Sequence, residues 1–229
     1  MRALFSLPLV FASACDHRDP PAPPAPPVSV SASVSASASV SASVSASVST
    51  PLASPDPDPI FDPADWSPAI GHWTFDHGEL VSDGRVMSAL IYRKNVSARD
   101  LDFTVEVRFE RNESSAGIVF RELGDDFYAD ARFYQFEWYT RGSHHDRRLS
   151  FMKKNPYWVQ LVEPQYPEAP LGAWIRMRVR AEGDFVQTFV DDRAVFAKHD
   201  TTFVREGRLG LHCFMPRAVR FRRPVLRVW

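Results

Sequence analysis

The stretch LDFTVEVRFE (residues 101–110) decides the fold class, because its apolar and polar residues alternate without a break. Leu, Phe and Val occupy the odd positions, and Asp, Thr, Glu and Arg occupy the even ones. Period-two alternation is typical of an antiparallel strand that buries one face and turns the other to water. The stretch therefore predicts a half-buried β-strand whose core face carries Leu101, Phe103, Val105, Val107 and Phe109.

The same alternation recurs on both sides of this strand. Ile175, Met177 and Val179 alternate with arginines, and Leu209, Leu211 and Cys213 share one parity. Asp191-Asp192-Arg193 lies between two apolar runs, which is typical of a hairpin turn. No amphipathic helix of about 10 residues or more is evident. About a dozen strands with frequent turn signals predict an all-β, antiparallel jelly-roll β-sandwich.

Residues 1–15 have the parts of an export signal. Met1-Arg2 is followed by an apolar stretch that is too short to span a bilayer, and then by Cys15. The segment Ala12-Ser13-Ala14-Cys15 resembles the lipobox of bacterial lipoproteins, although that motif usually has Leu where this chain has Ala12. The resemblance implies lipidation of Cys15, while an ordinary secretory signal cleaved near Ala14 is the alternative.

Residues 16–59 predict a disordered tether. The segment DPPAPPAPP (19–27) favours polyproline II, and serine occupies every odd position from 29 to 49, alternating with Val or Ala. These small side chains bury too little surface to offset the ordering entropy of about 1–2 kcal/mol per residue. Residues 60–229 are therefore expected to form one folded domain. We expect the lipid at Cys15 to anchor it to a membrane of the cell envelope, in the periplasm or outside the cell.

Charge and composition exclude several classes of protein. Lys and Arg number 27 against 28 Asp and Glu, a net charge of −1. A nucleic-acid binder normally carries a basic excess, so no nucleic-acid partner is expected. No apolar run approaches the roughly 20 residues of a membrane-spanning helix. The sequence leaves the oligomeric state and the choice of inner or outer membrane open.

The order of strand motifs resembles a known superfamily. The segments are HWTFDHGELVSDG (72–84), SSAGIVFRE (114–122), FYADARFYQFE (127–137) and GAWIRMRVRAEGDFVQTFVDDRAVF (172–196). Together they resemble the concanavalin A-like lectin/glucanase superfamily, and within it domains of the laminin-G-like and 3-keto-disaccharide hydrolase type. The resemblance covers nearly all of residues 70–229. It is a pattern of strands and glycines, so it implies the jelly-roll fold more strongly than an activity.

The sequence carries no catalytic signature. Retaining glucanases of that superfamily have an E-x-D-x-x-E strand, because hydrolysis needs two carboxylates about 5–5.5 Å apart. Glu106 and Glu110 share a strand face but lack the central acid. The motifs G-x-S-x-G, H-E-x-x-H and C-x-x-C are also absent. The sequence therefore predicts no catalytic residue.

Metal binding has weak support. His144-His145-Asp146 follows Arg141-Gly142-Ser143 and indicates an exposed polar turn more than a metal site. Many laminin-G-like domains bind calcium through loop oxygens, so the resemblance makes Asp125-Asp126 and Asp191-Asp192 candidate calcium ligands. Turn chemistry explains both pairs equally well, and no cofactor is predicted beyond this possible calcium.

The strand near residues 127–139 is the candidate binding element, because both of its faces carry aromatic residues. If Tyr134, Phe136 and Trp138 face the core, then Phe133, Gln135, Glu137 and Tyr139 form an exposed set. Rings and polar groups on one concave sheet face suit a saccharide. Arg121, at the end of the neighbouring strand, is expected beside Gln135, Glu137 and Tyr139. The opposite choice of face would expose Arg132, Tyr134 and Trp138, and a structural Arg121–Glu137 ion pair is the alternative role.

Three functions remain from the sequence. The first is a membrane-anchored, non-catalytic, lectin-like module that binds a saccharide or glycan. The second is a glycoside-active enzyme of the 3-keto-disaccharide hydrolase type. The third is a structural or protein-binding surface domain. Lack of a carboxylate motif disfavours the enzyme, and the aromatic strand favours saccharide binding over a purely structural role.

Overall fold

The computed structural model describes residues 61–229 except 84–87, 125–129, 143–148, 163–165 and 215–218. The export signal with Cys15, the tether, Asp125-Asp126 and His144-His145-Asp146 lie outside the described residues. The described part contains one short 3-10 helix, Pro63–Asp65, capped by Asp62. None of its helices is long and apolar enough to cross a membrane.

The described residues form fourteen strands and almost no helix. In chain order the strands are β1 (Trp66–Ile70), β2 (Trp73–Asp76), β3 (Glu79–Ser82), β4 (Ser88–Ala98), β5 (Leu101–Phe109), β6 (Ser115–Leu123), β7 (Arg132–Tyr139), β8 (Leu149–Asn155), β9 (Tyr157–Val162), β10 (Ile175–Glu182), β11 (Phe185–Val190), β12 (Arg193–His199), β13 (Gly207–Phe214) and β14 (Val219–Val228).

The strands form two antiparallel sheets of seven strands each. The first sheet has the order β1-β4-β13-β6-β7-β8-β9, and the second has the order β12-β11-β10-β5-β14-β3-β2. One hydrophobic core joins residues of both sheets, including Phe103 of β5, Phe120 of β6 and Phe136 of β7. The predicted all-β sandwich is confirmed.

The alternating strands bury the predicted faces. Every odd residue of β5 is buried, and β10 alternates buried Ile175, Met177 and Val179 with less buried arginines. The predicted hairpin turn is also confirmed: Asp191 and Asp192 connect β11 to β12 with φ angles of 47° and 63°. Positive φ at both central residues gives the turn a twist that matches a β-hairpin.

A β-bulge interrupts the pairing of β6 with its neighbours. The register between β6 and β7 shifts between Phe120 and Leu123, and Arg121 has a φ angle of 50°. A bulge inserts one extra residue, so the side chains beyond it change faces relative to strict alternation. This shift decides which side of the sheet receives Arg121 and Glu122.

Candidate functional site

The two faces of β7 belong to different packing clusters. Tyr134, Phe136 and Trp138 lie in the core between the sheets. Phe133 lies in a separate cluster with Leu90, Tyr92, Val119 and Ala131. Because strand side chains alternate, Gln135, Glu137 and Tyr139 also lie on the face of the first sheet turned away from the second sheet. We call this face the outer face; its position agrees with the predicted choice of core face.

The predicted exposure of this set is wrong. Gln135, Glu137 and Tyr139 are 1%, 2% and 4% exposed, and Phe133 is fully buried. Their polar groups therefore need partners, since an unpaired buried polar group costs about 1–3 kcal/mol.

Glu137 is the centre of a buried polar cluster. Its carboxylate accepts hydrogen bonds from Ser115 Oγ, Gln135 Nε2 and Tyr139 OH, the last at 2.7 Å. His212 Nδ1 lies 3.6 Å from Glu137 Oε1 and 3.3 Å from Gln135 Nε2. These five residues, Ser115, Gln135, Glu137, Tyr139 and His212, form the Glu137 cluster.

Gly117 allows the cluster to form across three strands. It lies opposite Glu137 of β7 and opposite His212 of β13. Strands that flank a third one are about 9.5 Å apart, so their side chains meet only if the middle position leaves room. A Cβ atom at Gly117 would lie 2.0 Å from Phe136 O. Glycine is therefore required both for strand packing and for the contact between Glu137 and His212.

The surroundings of Glu137 keep its carboxylate ionised. Burial alone would raise its pKa, but the hydrogen bond and charge of His212, together with the Ser115 and Tyr139 donors, outweigh burial and lower the pKa. A carboxylate with a lowered pKa is a weak base, because efficient general bases titrate near the working pH. Glu137 is therefore suited to holding the hydrogen-bond donors of neighbouring side chains in place.

The structure does not bring Arg121 to the Glu137 cluster, and the alternative Arg121–Glu137 ion pair is absent as well. Arg121 is fully buried, donates from Nε to Arg99 O at 2.7 Å, and places Nη2 3.6 Å from Asp100. The reason is the bulge in β6. Strict alternation after Val119 would place Arg121 on the outer face. Because the bulge inserts one extra residue, Glu122 lies on the outer face instead.

Glu122 forms a second polar group on the outer face. It lies opposite Arg208 of β13 and accepts a hydrogen bond from Arg208 Nε. The Arg208 guanidinium stacks over the Tyr92 ring at 4.5 Å. Burial raises the pKa of Glu122, and the hydrogen bond and charge of Arg208 oppose that rise without cancelling it.

Several buried oxygens on this face have no hydrogen-bond partner among the described residues. They are Gln135 Oε1, Ser150 Oγ, Gln160 Oε1 and Glu122 Oε1. Ser150 lies opposite Glu137, while Gln160 lies opposite Met152, which in turn lies opposite Gln135. Three of these four atoms only accept hydrogen bonds. The outer face therefore holds buried acceptors without donors, and the hydroxyls of a molecule that reached them would supply those donors.

Trp158 is an exposed aromatic residue at the edge of this face. It is 49% exposed, and its ring packs edge-on against Phe133 at 5.3 Å. Tyr139, which the sequence suggested as a stacking plate, is buried with its hydroxyl on Glu137. Trp158 therefore offers a flat, partly exposed surface on which a ring can stack.

The alternate site residues are divided between surface and core. Arg132 is exposed at the start of β7. Tyr134 donates its hydroxyl to Asp200 at 2.7 Å, and Trp138 donates Nε1 to Pro167 O at 3.0 Å, both from within the main core. These three residues do not form a common surface.

No group of three or more potential ligands for a metal ion occurs among the described residues. The carboxylates of the hairpin turn interact with one arginine. Asp191 Oδ1 accepts from Arg176 N at 2.9 Å, and Asp192 Oδ2 from Arg176 Nη1 at 2.6 Å. Turn formation and this pairing account for both residues.

Sequence reasoning did not identify Ser115, Glu122, Ser150, Arg208 or His212. A signal for two of them was present: because Leu209, Leu211 and Cys213 face the core, Arg208 and His212 must face outward. Glu122 had no local signal, since the bulge reverses the face that alternation predicts.

The sequence profile of one family covers most of the chain. The 3-keto-alpha-glucoside-1,2-lyase-like domain matches residues 57–227. No curated protein matches the chain at a significant level.

Solved structures of carbohydrate-related proteins share the fold. The carbohydrate-binding module CBM66 from Bacillus subtilis is 19% identical, with a TM-score of 0.61 over 71% of this chain and 95% of that chain. A Bacillus subtilis protein of unknown function with a galectin-like fold is 12% identical, with a TM-score of 0.60 over 74% and 93%. The Bacillus licheniformis β-glucanase is 8% identical, with a TM-score of 0.54 over 75% and 96%. At these identities the likeness establishes the fold, which carbohydrate-binding modules and glucanases share.

Proposed function

The chain belongs to the 3-keto-alpha-glucoside-1,2-lyase-like domain family, and from this membership we propose that its folded domain binds a saccharide on the outer face of the first sheet. In this proposal the domain is a lectin-like module that does not change the sugar chemically. The observation that carries it is the set of buried oxygens without partners at Gln135, Ser150 and Gln160.

Sugar hydroxyls are suitable partners for those oxygens. A hydroxyl donates one hydrogen bond and accepts others, so a sugar could donate to the Gln135 and Gln160 carbonyls and exchange bonds with Ser150. Trp158 offers a partly exposed ring at the edge of the same face, where a sugar ring can stack. Glu137 would hold the Gln135 amide group, so that Oε1 of Gln135 points away from the carboxylate.

The ionised state of Glu137 supports binding over catalysis at the Glu137 cluster. Its lowered pKa and its donors from Ser115, Gln135 and Tyr139 leave it a satisfied carboxylate. Such a group positions neighbours and is poorly placed to remove a proton.

The test begins with a glycan array on the full chain, with and without calcium, and continues with calorimetry on the best ligand. Ser150→Ala should weaken binding by about 1–3 kcal/mol, because the ligand loses a hydrogen bond in a desolvated site. Unfolding should change little, since the Ser150 hydroxyl has no partner without ligand.

Ser82→Ala is the matched control. Ser82 is a buried serine of β3 in the second sheet whose hydroxyl also has no partner among the described residues. Its substitution should leave affinity unchanged. Equal affinity of the Ser150→Ala and Ser82→Ala variants would contradict the outer-face site.

A second candidate function is an elimination reaction on a 3-keto-glucoside, and Glu122 is the observation that favours it. Burial raises its pKa towards the range of a general base, and Glu122 Oε1 has no partner among the described residues. In a 1,2-elimination the C3 ketone acidifies the proton on C2. Glu122 would take that proton while the C1–O bond breaks and the leaving alcohol gains a proton.

The elimination product, a ketone conjugated to a C1–C2 double bond, absorbs in the near ultraviolet. Incubation with a 3-keto-α-glucoside should therefore produce this absorbance if the domain is a lyase, and Glu122→Gln should abolish it. An intact substrate after prolonged incubation with the wild-type chain would eliminate this candidate. Binding to the same face would still be possible.

We also propose that the domain acts at a membrane of the cell envelope. The support is the lipobox-like Ala12-Ser13-Ala14-Cys15 segment and the low-complexity tether of residues 16–59. Fully extended at about 3.3 Å per residue, such a tether reaches on the order of 150 Å. This length would let a lipid-anchored domain reach glycans well away from the bilayer.

A further inference from the structure

A groove of about 460 Å³ opens beside the second polar group of the outer face. It is lined by Tyr92 and residues 93–97 of β4, by Ser67 of β1 and by Arg208 of β13. Its volume lies in the range of ligand-binding clefts, about 300–1,000 Å³.

The lining of this groove has one sign of charge. Arg93, Lys94 and Arg208 line it, and no acidic residue of the described chain does. Asp65 binds Arg93 at 2.8 Å and Glu122 binds Arg208, which fixes the direction of both guanidinium groups and offsets part of their charge. Lys94 is exposed and has no carboxylate partner among the described residues. A cleft lined by one sign of charge concentrates ligands of the opposite sign.

The groove adjoins the outer face at Tyr92, which lies in one row across the sheet with Gly210 and Val119. The Tyr92 ring packs in the same cluster as Val119 and Phe133, and it lies directly under the Arg208 guanidinium. Val119 in turn lies opposite Gln135. A ligand that extends along this row from Gln135 would therefore approach Arg208 and the groove.

We propose that the saccharide bound by the outer face carries a negatively charged sugar unit, and that this unit occupies the cationic groove at Arg93, Lys94 and Arg208. This inference rests on the proposed function and names its ligand class. A carboxylate of a uronate or a sulfate ester supplies the charge. An anionic membrane surface is the competing source of negative charge, and the balanced total charge of the chain disfavours it.

The experiment measures binding of the full chain by calorimetry to tetrasaccharides of galacturonate, glucuronate and mannuronate. Each is compared with its methyl ester, which has the same sugars without charge. A tetrasaccharide of neutral sugars is likewise compared with its sulfate ester. At low salt, at least one acidic form should bind about tenfold more tightly than its neutral counterpart. The advantage should fall steeply at 0.5 M NaCl, because salt screens exposed charges.

Lys94→Gln tests the groove directly. It should weaken binding of the acidic form about two- to fivefold, the range of an exposed ion pair, and leave the methyl ester unaffected. Arg193→Gln, on β12 of the second sheet, removes the same charge elsewhere and should change neither affinity.

The outcomes separate this inference from the proposed function. Equal binding of acidic and neutral forms, or an effect of Arg193→Gln as large as that of Lys94→Gln, overturns the charged ligand and leaves saccharide binding intact. Binding of neither form, with no other saccharide bound on the array, overturns both. Lys94-dependent binding to phosphatidylglycerol vesicles without any saccharide preference also overturns it and assigns the groove to a membrane surface.

Discussion

At the scale of single residues, Glu137 illustrates how a buried carboxylate can be stabilised without a lysine or arginine. Its partners are a serine, an amide, a phenol and a histidine, drawn from β6, β7 and β13. Hydrogen bonds to a charged group contribute about 1.5–3 kcal/mol each, which offsets the cost of removing the charge from water. The charge of Glu137 therefore needs these donors, and the buried donors in turn need the carboxylate as their acceptor.

Glu137→Gln should lower the free energy of unfolding at pH 7 by about 2–3 kcal/mol, because the amide is a weaker acceptor and cannot use all four donors. The folded-state pKa of Glu137 is depressed, so its charge stabilises the fold fully above the unfolded pKa of about 4.3 and this contribution is lost as pH falls below it. The difference between the variant and the wild type should therefore shrink at pH 3.5, measured by urea denaturation at both pH values.

Glu110→Gln is the control for that prediction. Glu110 is 31% exposed and pairs with Arg108, so its substitution should cost under about 1 kcal/mol at either pH. Equal losses in the two variants at pH 7 would show that the charge of Glu137 is not what holds the cluster.

At the scale of elements, alternation predicts faces correctly wherever a strand is regular. It places the core residues of β5 and β10, and the parity of Leu209, Leu211 and Cys213 fixes the direction of Arg208 and His212. It fails at the bulge in β6, because that bulge is held by the neighbouring strand β13. Similarly, the Glu137 cluster depends on the register of β6, β7 and β13, and β13 is far from the other two in sequence.

The bulge leads to a prediction at Gly207. A Cβ atom there would lie 2.5 Å from Arg121 C and 2.8 Å from Glu122 N, so Gly207→Ala forces β13 and the bulge apart. We expect the free energy of unfolding to fall by about 2–3 kcal/mol, the upper part of the usual range for overpacking a buried position. The shift should disturb the Glu122–Arg208 pair as well. Thermal unfolding measures the loss.

Gly183→Ala separates the steric effect from backbone strain. Gly183 has a φ angle of 56°, and no atom lies near the position of an added Cβ. Gly183→Ala should therefore lower the free energy of unfolding by only about 1 kcal/mol. A Gly207→Ala variant as stable as Gly183→Ala would contradict the close approach of β13 to the bulge.

At the scale of the whole molecule, the chain has two parts. One is a domain with a hydrophobic core, and the other is a segment whose composition cannot build a core. The family profile begins at residue 57, close to the predicted end of the tether at residue 59. The predicted boundary rests on composition, because a core needs large apolar side chains and residues 16–59 have none larger than valine apart from Leu52.

A chain that begins at Ile60 should therefore unfold at the same temperature as the chain that begins at Cys15. None of the intervening residues is expected to contribute buried surface. Differential scanning calorimetry of both chains provides the measurement. A melting temperature several degrees lower for the shorter chain would mean that part of the tether packs against the domain.

The proposal that the domain acts at a membrane of the cell envelope depends on lipidation of Cys15. A bacterial expression host fed an alkyne fatty acid should label the wild-type chain, and the label should stay in the membrane fraction. Cys15→Ser should remove the label, whereas Cys213→Ala should keep it, because Cys213 is buried in the core. A single acyl chain binds membranes only weakly and reversibly, so firm anchoring requires more than one chain on the processed cysteine. An unlabelled wild-type chain, soluble and cleaved near Ala14, would contradict the anchor and indicate an ordinary secreted protein.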